Sequence, residues 1–196
     1  GVFAPSVPGL PSPVPHPVAV LDARQYDPEG PGSLALELVR LHRRGFRKFL
    51  VAHARGHRFI GNGFGAGSEG VRIDVYGSPG DYLGSGADGM EIHVHGNGQD
   101  QLIQIMKAGK LLVHGDVGQT FGYAAKGGDV FVLGNAAGRP FINAVGKPRV
   151  VINGTCLDYL AESFMAGDPL NGGGFVVIGG DHSFGIDACP AAFSGT

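Results

Sequence analysis

Three histidines are the residues of this 196-residue chain whose types and spacing come nearest to chemistry. His93 and His95 stand two apart in EIHVHG, and on a strand that spacing puts both side chains on one face. His114, in LLVHG, holds the same place before its glycine as His95 does, 19 residues later. Three imidazoles brought together in this way are a ligand set for zinc, with Asp74 of RIDVYG as the nearby carboxylate. Columns of like side chains are also ordinary wherever strands stack. The expectation is a surface ladder, with a metal site as the alternative. A second column holds Asp81, Asp100 and Asp158, with Gln119 among them. Such carboxylates could cleave a polysaccharide, but Asp is also a favoured turn residue, and the turn role is expected.

Two further candidates are weaker. Cys156 has only Asp158 as a charge beside it and no recurring histidine to activate it. Gly61, Gly63 and Gly65 in GHRFIGNGFGAGSEG are spaced like a nucleotide loop. A dinucleotide fingerprint opens a helix and has an acidic residue about 20 positions on. Here SEGVRIDV follows, which reads as strand, so an irregular first coil is expected instead.

The elements that must position these residues are one unit written several times. RIDVYG, IHVHG, LLVHG, VFVLG, VVING and FVVIGG close on Gly77, Gly96, Gly115, Gly134, Gly154 and Gly179, at spacings of 19, 19, 19, 20 and 25 residues. Two and four places before each glycine stand Ile73 and Val75, Ile92 and Val94, Leu111 and Val113, Val130 and Val132, Val150 and Ile152, Phe175 and Val177. This alternation of mostly β-branched residues is that of a strand with one buried face. An apolar residue recurs about six places after the glycine, at Leu83, Leu102, Phe121 and Leu160. A 19-residue period suits one coil of a parallel β-helix, whose strands stack about 4.8 Å apart. The closing glycines would then turn corners at positive φ, which only glycine reaches without strain.

The outward positions change character along the chain. Asp74, Tyr76, His93, His95 and His114 are polar or amphipathic, whereas Leu112, Phe131, Leu133, Val151, Val176 and Ile178 are apolar. Six such residues exposed together exceed what soluble monomers usually show. The patch is expected to be covered, either by the chain's own helix or by a partner.

Around the repeats the chain divides into four parts. Residues 1–32 form a Pro-rich extended arm, in which VAVLDA (18–23) could add a short strand. Residues 33–55 hold a helix and an entering strand. Ser33 is placed to cap that helix, Leu34, Leu38, Val39 and Leu41 give it an apolar face, and Gly45 suits its C′ position. Arg40, His42, Arg43 and Arg44 crowd its last turn, where cations complement the dipole. Residues 56–180 are the repeat domain, and 181–196 a tail. A net charge of −2 gives no reason to expect nucleic acid or an anionic membrane, and no run of 18 apolar residues occurs. The first residues lack a basic n-region and an apolar h-region, and two cysteines are too few for a disulfide framework. A cytoplasmic location is the expectation.

GDYLGSGADGMEIHVHGNGQD, HGDVGQTFGYAAKGGDVFVLGNA and GHRFIGNGF resemble the glycine-repeat (GXGXG) domain at the C-terminus of the glutamate synthase large subunit, above all its stand-alone form. The glycine-repeat subunit of formylmethanofuran dehydrogenase is similar in the same repeats. The resemblance covers about residues 18–180. It implies a right-handed β-helix without catalytic residues of its own, which binds no cofactor. In glutamate synthase that helix packs between a glutamine amidotransferase domain and a domain carrying FMN and an iron–sulfur cluster. Those parts supply ammonia and reduce the 2-iminoglutarate formed from 2-oxoglutarate. FMN and iron–sulfur clusters are therefore expected in partner subunits. The chain departs from the pattern in its Pro-rich arm, in DPLNGGG (168–174) and in its tail. An independent β-helix polysaccharide-processing enzyme is the alternative from another class.

Overall fold

The computed structural model describes residues 17–165 and 167–180. The Pro-rich run at 1–16 and the tail at 181–196, with Cys189, lie outside the described residues. The elements run β1 (Val18–Asp22), α1 (Leu34–Arg43), β2 (Lys48–Arg55), β3 (Arg72–Ser78), β4 (Asp88–His95), β5 (Ala108–Val113), β6 (Asp129–Val132), β7 (Arg149–Ile152) and β8 (Phe175–Ile178). All eight strands form one sheet in sequence order, and each pairs with the next in parallel. Each crossover between neighbours is one coil of a right-handed parallel β-helix, as expected. The register steps along the sheet by 30, 24, 19, 19, 19, 20 and 26 residues. The 19-residue coil therefore holds in the middle and lengthens toward both ends.

The sheet begins earlier than the boundaries at 32 and 55 imply. Val18–Asp22 pairs with β2, so α1 is a loop of the first coil and does not precede the solenoid. Ser33 caps it, its Oγ accepting from the Leu36 N–H at 3.4 Å, and Gly45 follows the C-cap at φ +99°. Leu34, Ala35, Leu38 and Val39 are buried. Val39 packs toward Gly63, and the His42 ring lies 4.8 Å from that of Phe64, so the helix sits on the 56–70 segment of the following coil. Among the described residues, no helix is long and apolar enough to cross a membrane.

Inside the sheet wall, Ile73, Val75, Ile92, Val94, Leu111, Val113, Val130, Val132, Val150 and Ile152 are all buried, as the alternation predicts. The last coil differs. Val150 pairs with Val176 and Ile152 with Ile178, so Val176 and Ile178 continue the inner columns while Phe175 and Val177 face outward. The glycine equivalent to Gly154 is Gly180, whose N–H donates to the Gly154 carbonyl at 2.9 Å. IGG offers two glycines, and taking the first as the closing one shifts the register by one residue. A shift of one reverses every side chain.

The opposite wall has a different backbone. In each coil three alternate residues are left-handed: Tyr82, Gly84 and Gly86; Gln101, Ile103 and Ile105; Thr120, Gly122 and Ala124; Arg139, Phe141 and Asn143; Tyr159, Ala161 and Ser163, all with φ between +50° and +71°. An L-residue in that region costs about 1–2 kcal/mol. The cost is offset by hydrogen bonds to both neighbouring coils. Gln101 N–H donates forward to Gln119 O at 2.8 Å, Ile103 N–H back to Leu83 O at 2.7 Å, and Ile105 N–H forward to Tyr123 O at 2.9 Å. The middle residues Ile103, Phe141 and Ala161 are buried beside Leu83, Leu102, Phe121 and Leu160. Small and large alternate down this column. A Cβ on Gly122 would stand 2.6 Å from the Phe141 ring.

The closing glycines serve another purpose than the one expected of them. Only Gly77 has positive φ, at +115°. At the others the neighbouring coil comes too close for a side chain. A Cβ on Gly96 would lie 2.4 Å from the Gly77 carbonyl oxygen, and one on Gly154 would lie 2.6 Å from that of Gly134. Close approach of backbones requires glycine there.

Candidate functional site

The polar candidates converge on the outer face of β3, β4 and β5. Strand alternation turns Arg72, Asp74 and Tyr76 outward from β3, and Glu91, His93 and His95 from β4. The register places Asp74 beside His93 and Tyr76 beside His95. His114 follows β5 next to His95, its N–H donating to the Val94 carbonyl at 2.9 Å. Tyr76, His95 and His114 stack as a column, with ring centroids 4.2 and 4.7 Å apart. Both expectations for this face meet here, because the three histidines form a ladder and also place one ligand atom each within 4.8 Å of the others.

Each imidazole of β4 is oriented by a carboxylate. His93 Nε2 lies 2.5 Å from Glu91 Oε1, and His95 Nε2 lies 3.0 Å from Asp74 Oδ1. Arg72 grips Asp74 through Nε at 2.7 Å and Nη2 at 2.9 Å. That guanidinium holds the Asp74 carboxyl at about 2, below its ordinary 3.8; His95 adds to the effect and burial opposes it. Asp74 is not the lone carboxylate that the sequence suggests, since Glu91 is a second. The signal lies in the sequence, because Glu91 precedes His93 by two and so shares its face.

The other carboxylate column does structural work. Asp81 Oδ1 accepts from the Asp100 N–H at 3.2 Å, and Asp100 Oδ1 from the Gln119 N–H at 2.7 Å. A parallel column does the same one step after the closing glycines. Asn97 Oδ1 accepts from Asp116 N–H at 2.9 Å, Asp116 Oδ1 from Asn135 N–H at 2.7 Å, and Asn135 Oδ1 from Thr155 N–H at 3.0 Å. Through their Oδ1 oxygens Asp81 and Asp100 stitch coil to coil. Gly61, Gly63 and Gly65 are left-handed and lead to β3, with no helix opening among them, but the coil they occupy is the second, because β1 and β2 already close one before it. Cys156 is buried in the core.

The apolar outer face exists with altered membership. Leu112, Phe131, Val151 and Val177 form one column across β5 to β8, with Leu133 beside Phe131. Val176 and Ile178 face the core and leave the patch, and Phe175 and Val177 take their place. Phe131 is 38% exposed, Leu133 47% and Val177 48%. Phe131, Val151 and Phe175 line a shallow groove of about 250 Å³, edged by the Asp129–Arg149 ion pair at 2.7 Å. Helix α1 packs at the far end of the solenoid, so it does not cover these residues. Comparison with protein-family models, with characterised proteins and with solved structures finds no match to this chain.

Proposed function

We propose that this chain is a non-catalytic scaffold subunit of a multisubunit flavin and iron–sulfur oxidoreductase of the glutamate synthase type. It would pack against amidotransferase and FMN-binding subunits and leave the chemistry to them. The observation that carries the reading is the apolar column Leu112, Phe131, Val151 and Val177, in register over four strands, with Phe131 and Val177 exposed and Leu112 and Val151 half-buried. A stripe of this kind is matched by the apolar surface of another polypeptide. The resemblance of its repeats to the glycine-repeat domain supplies the kind of partner. The stitching role of Asp81 and Asp100 favours a structural use of that column over polysaccharide cleavage.

The test is native purification of the chain with its partners, subunit identification and a visible spectrum. Larger subunits carrying flavin and iron–sulfur absorbance are the expected result. A molybdenum- or tungsten-pterin centre would move the proposal to a complex like formylmethanofuran dehydrogenase. A colourless monomer would overturn both. Phe131→Asp should abolish assembly while leaving the melting temperature of the isolated chain nearly unchanged, because the residue packs outside the core.

A further inference from the structure

We propose that His93, His95 and His114 bind one zinc-class divalent ion through three imidazole nitrogens, with water completing the shell. The site is independent of the scaffold role, since it lies on β3–β5 and not on the apolar column of β5–β8.

The argument rests on how the imidazoles are held. His93 and His95 each direct Nε2 at a carboxylate, Glu91 and Asp74. With Nε2–H directed at the carboxylate, Nδ1 is the nitrogen of each ring that is left to ligate. Ligating histidines in metal sites are oriented in this way, by a carboxylate on the nitrogen that does not bind the ion. A plain stack of rings has no need of two such carboxylates. The third ligand, His114, is exposed and stacks on His95. Zinc–nitrogen bonds of about 2.0–2.1 Å in a tetrahedral shell set the nitrogens about 3.4 Å apart. One ligand atom of each residue now lies within 4.8 Å of the others, and His114, the exposed ring, is the one that solvent leaves free to turn.

Charge decides which ion fits. Glu91 and Asp74 are balanced by Arg72 and by Lys110, whose Nζ lies 3.8 Å from Glu91 Oε1. The ion meets imidazole nitrogens in a charge-balanced setting, which suits zinc, cobalt, nickel or copper and not calcium or magnesium. Arg72 Nη2 also reaches His93 Nδ1, but at 3.4 Å that contact is at the outer limit of hydrogen bonding. The ion would displace it without freeing Arg72 from Asp74.

Calorimetric titration of the metal-free full-length chain with zinc chloride tests the site. The expected result is one zinc per chain with Kd below about 10 μM, and no uptake of calcium or magnesium. His114→Ala should weaken binding by about 100-fold, and Asp74→Asn, which changes no ligand, by about 10-fold or more. Circular dichroism of each variant checks that the solenoid is intact. Cobalt(II) added to the unmutated chain should give the visible bands of a tetrahedral centre, a readout that depends on no variant. Zinc binding weaker than about 10 μM, binding unchanged in His114→Ala, or octahedral cobalt bands would each overturn the proposal.

Discussion

The two halves of the outer sheet surface share a backbone and differ in everything placed on it. Strands β3–β5 carry Arg72, Asp74, Glu91, His93, His95 and His114, joined by ion pairs and stacked rings. Strands β5–β8 carry Leu112, Phe131, Val151 and Val177. Beneath both halves the inner columns are the same unbroken Ile, Leu and Val. The inner residues and the coil-to-coil hydrogen bonds suffice to set the fold. The outer columns are therefore free to differ, and their difference is where function is to be sought.

The largest effect that should separate inside from outside is at neighbouring residues of β5. Leu111→Ala removes a fully buried side chain and should cost about 2–5 kcal/mol in urea unfolding. Leu112→Ala, one residue away and facing out, should cost well under half of that. Equal losses would mean that the outer column packs as tightly as the inner one. Next come the two kinds of glycine. Gly96→Ala forces a methyl against the Gly77 carbonyl and should cost about 1–3 kcal/mol. Gly86→Ala meets open space and bears only the strain of its left-handed backbone, about 1 kcal/mol.

The smallest effect tests the polar half alone. Asp74 is depressed to about 2 in the folded chain. A depressed carboxyl contributes stability above its ordinary pKa and loses it as pH falls through the folded value. With metal chelated, Asp74→Asn should destabilise by about 1 kcal/mol at pH 7, allowing for solvent screening of Arg72. The gap between the two proteins should close as pH falls from about 4 to 2. A gap that persists at pH 2 would show that shape and not charge holds this cluster together.

Much of this is legible in the sequence because β-strand alternation and a constant period are strong local signals. The inner columns from Ile73 to Ile152, the Ser33 cap and the stacking of His95 on His114 all follow from them. The left-handed wall is not legible. Its positions hold Tyr, Gln, Thr, Arg, Ile, Phe and Asn as well as glycine, because hydrogen bonds from adjacent coils override local preference there. In the last coil two adjacent glycines leave the register ambiguous, and the wrong choice moves Val176 and Ile178 to the outer face. Glu91 escapes notice for a different reason. Alignment of the repeats backward from the closing glycine reaches two outward positions, and Glu91 lies one outward position beyond them.

The coil-to-coil stitching also bears on how the chain ages chemically. Asn97–Gly98 is the kind of dipeptide that loses ammonia when the glycine nitrogen attacks the side-chain carbonyl. Here the Gly98 N–H is bound to the Asp116 carbonyl at 2.8 Å, and Asn97 Oδ1 is held by the Asp116 N–H at 2.9 Å. Nucleophile and electrophile are both fastened to the next coil, and ring closure must first break that pair of bonds. Folding thus slows the deamidation of a sequence that would be short-lived in a loose chain.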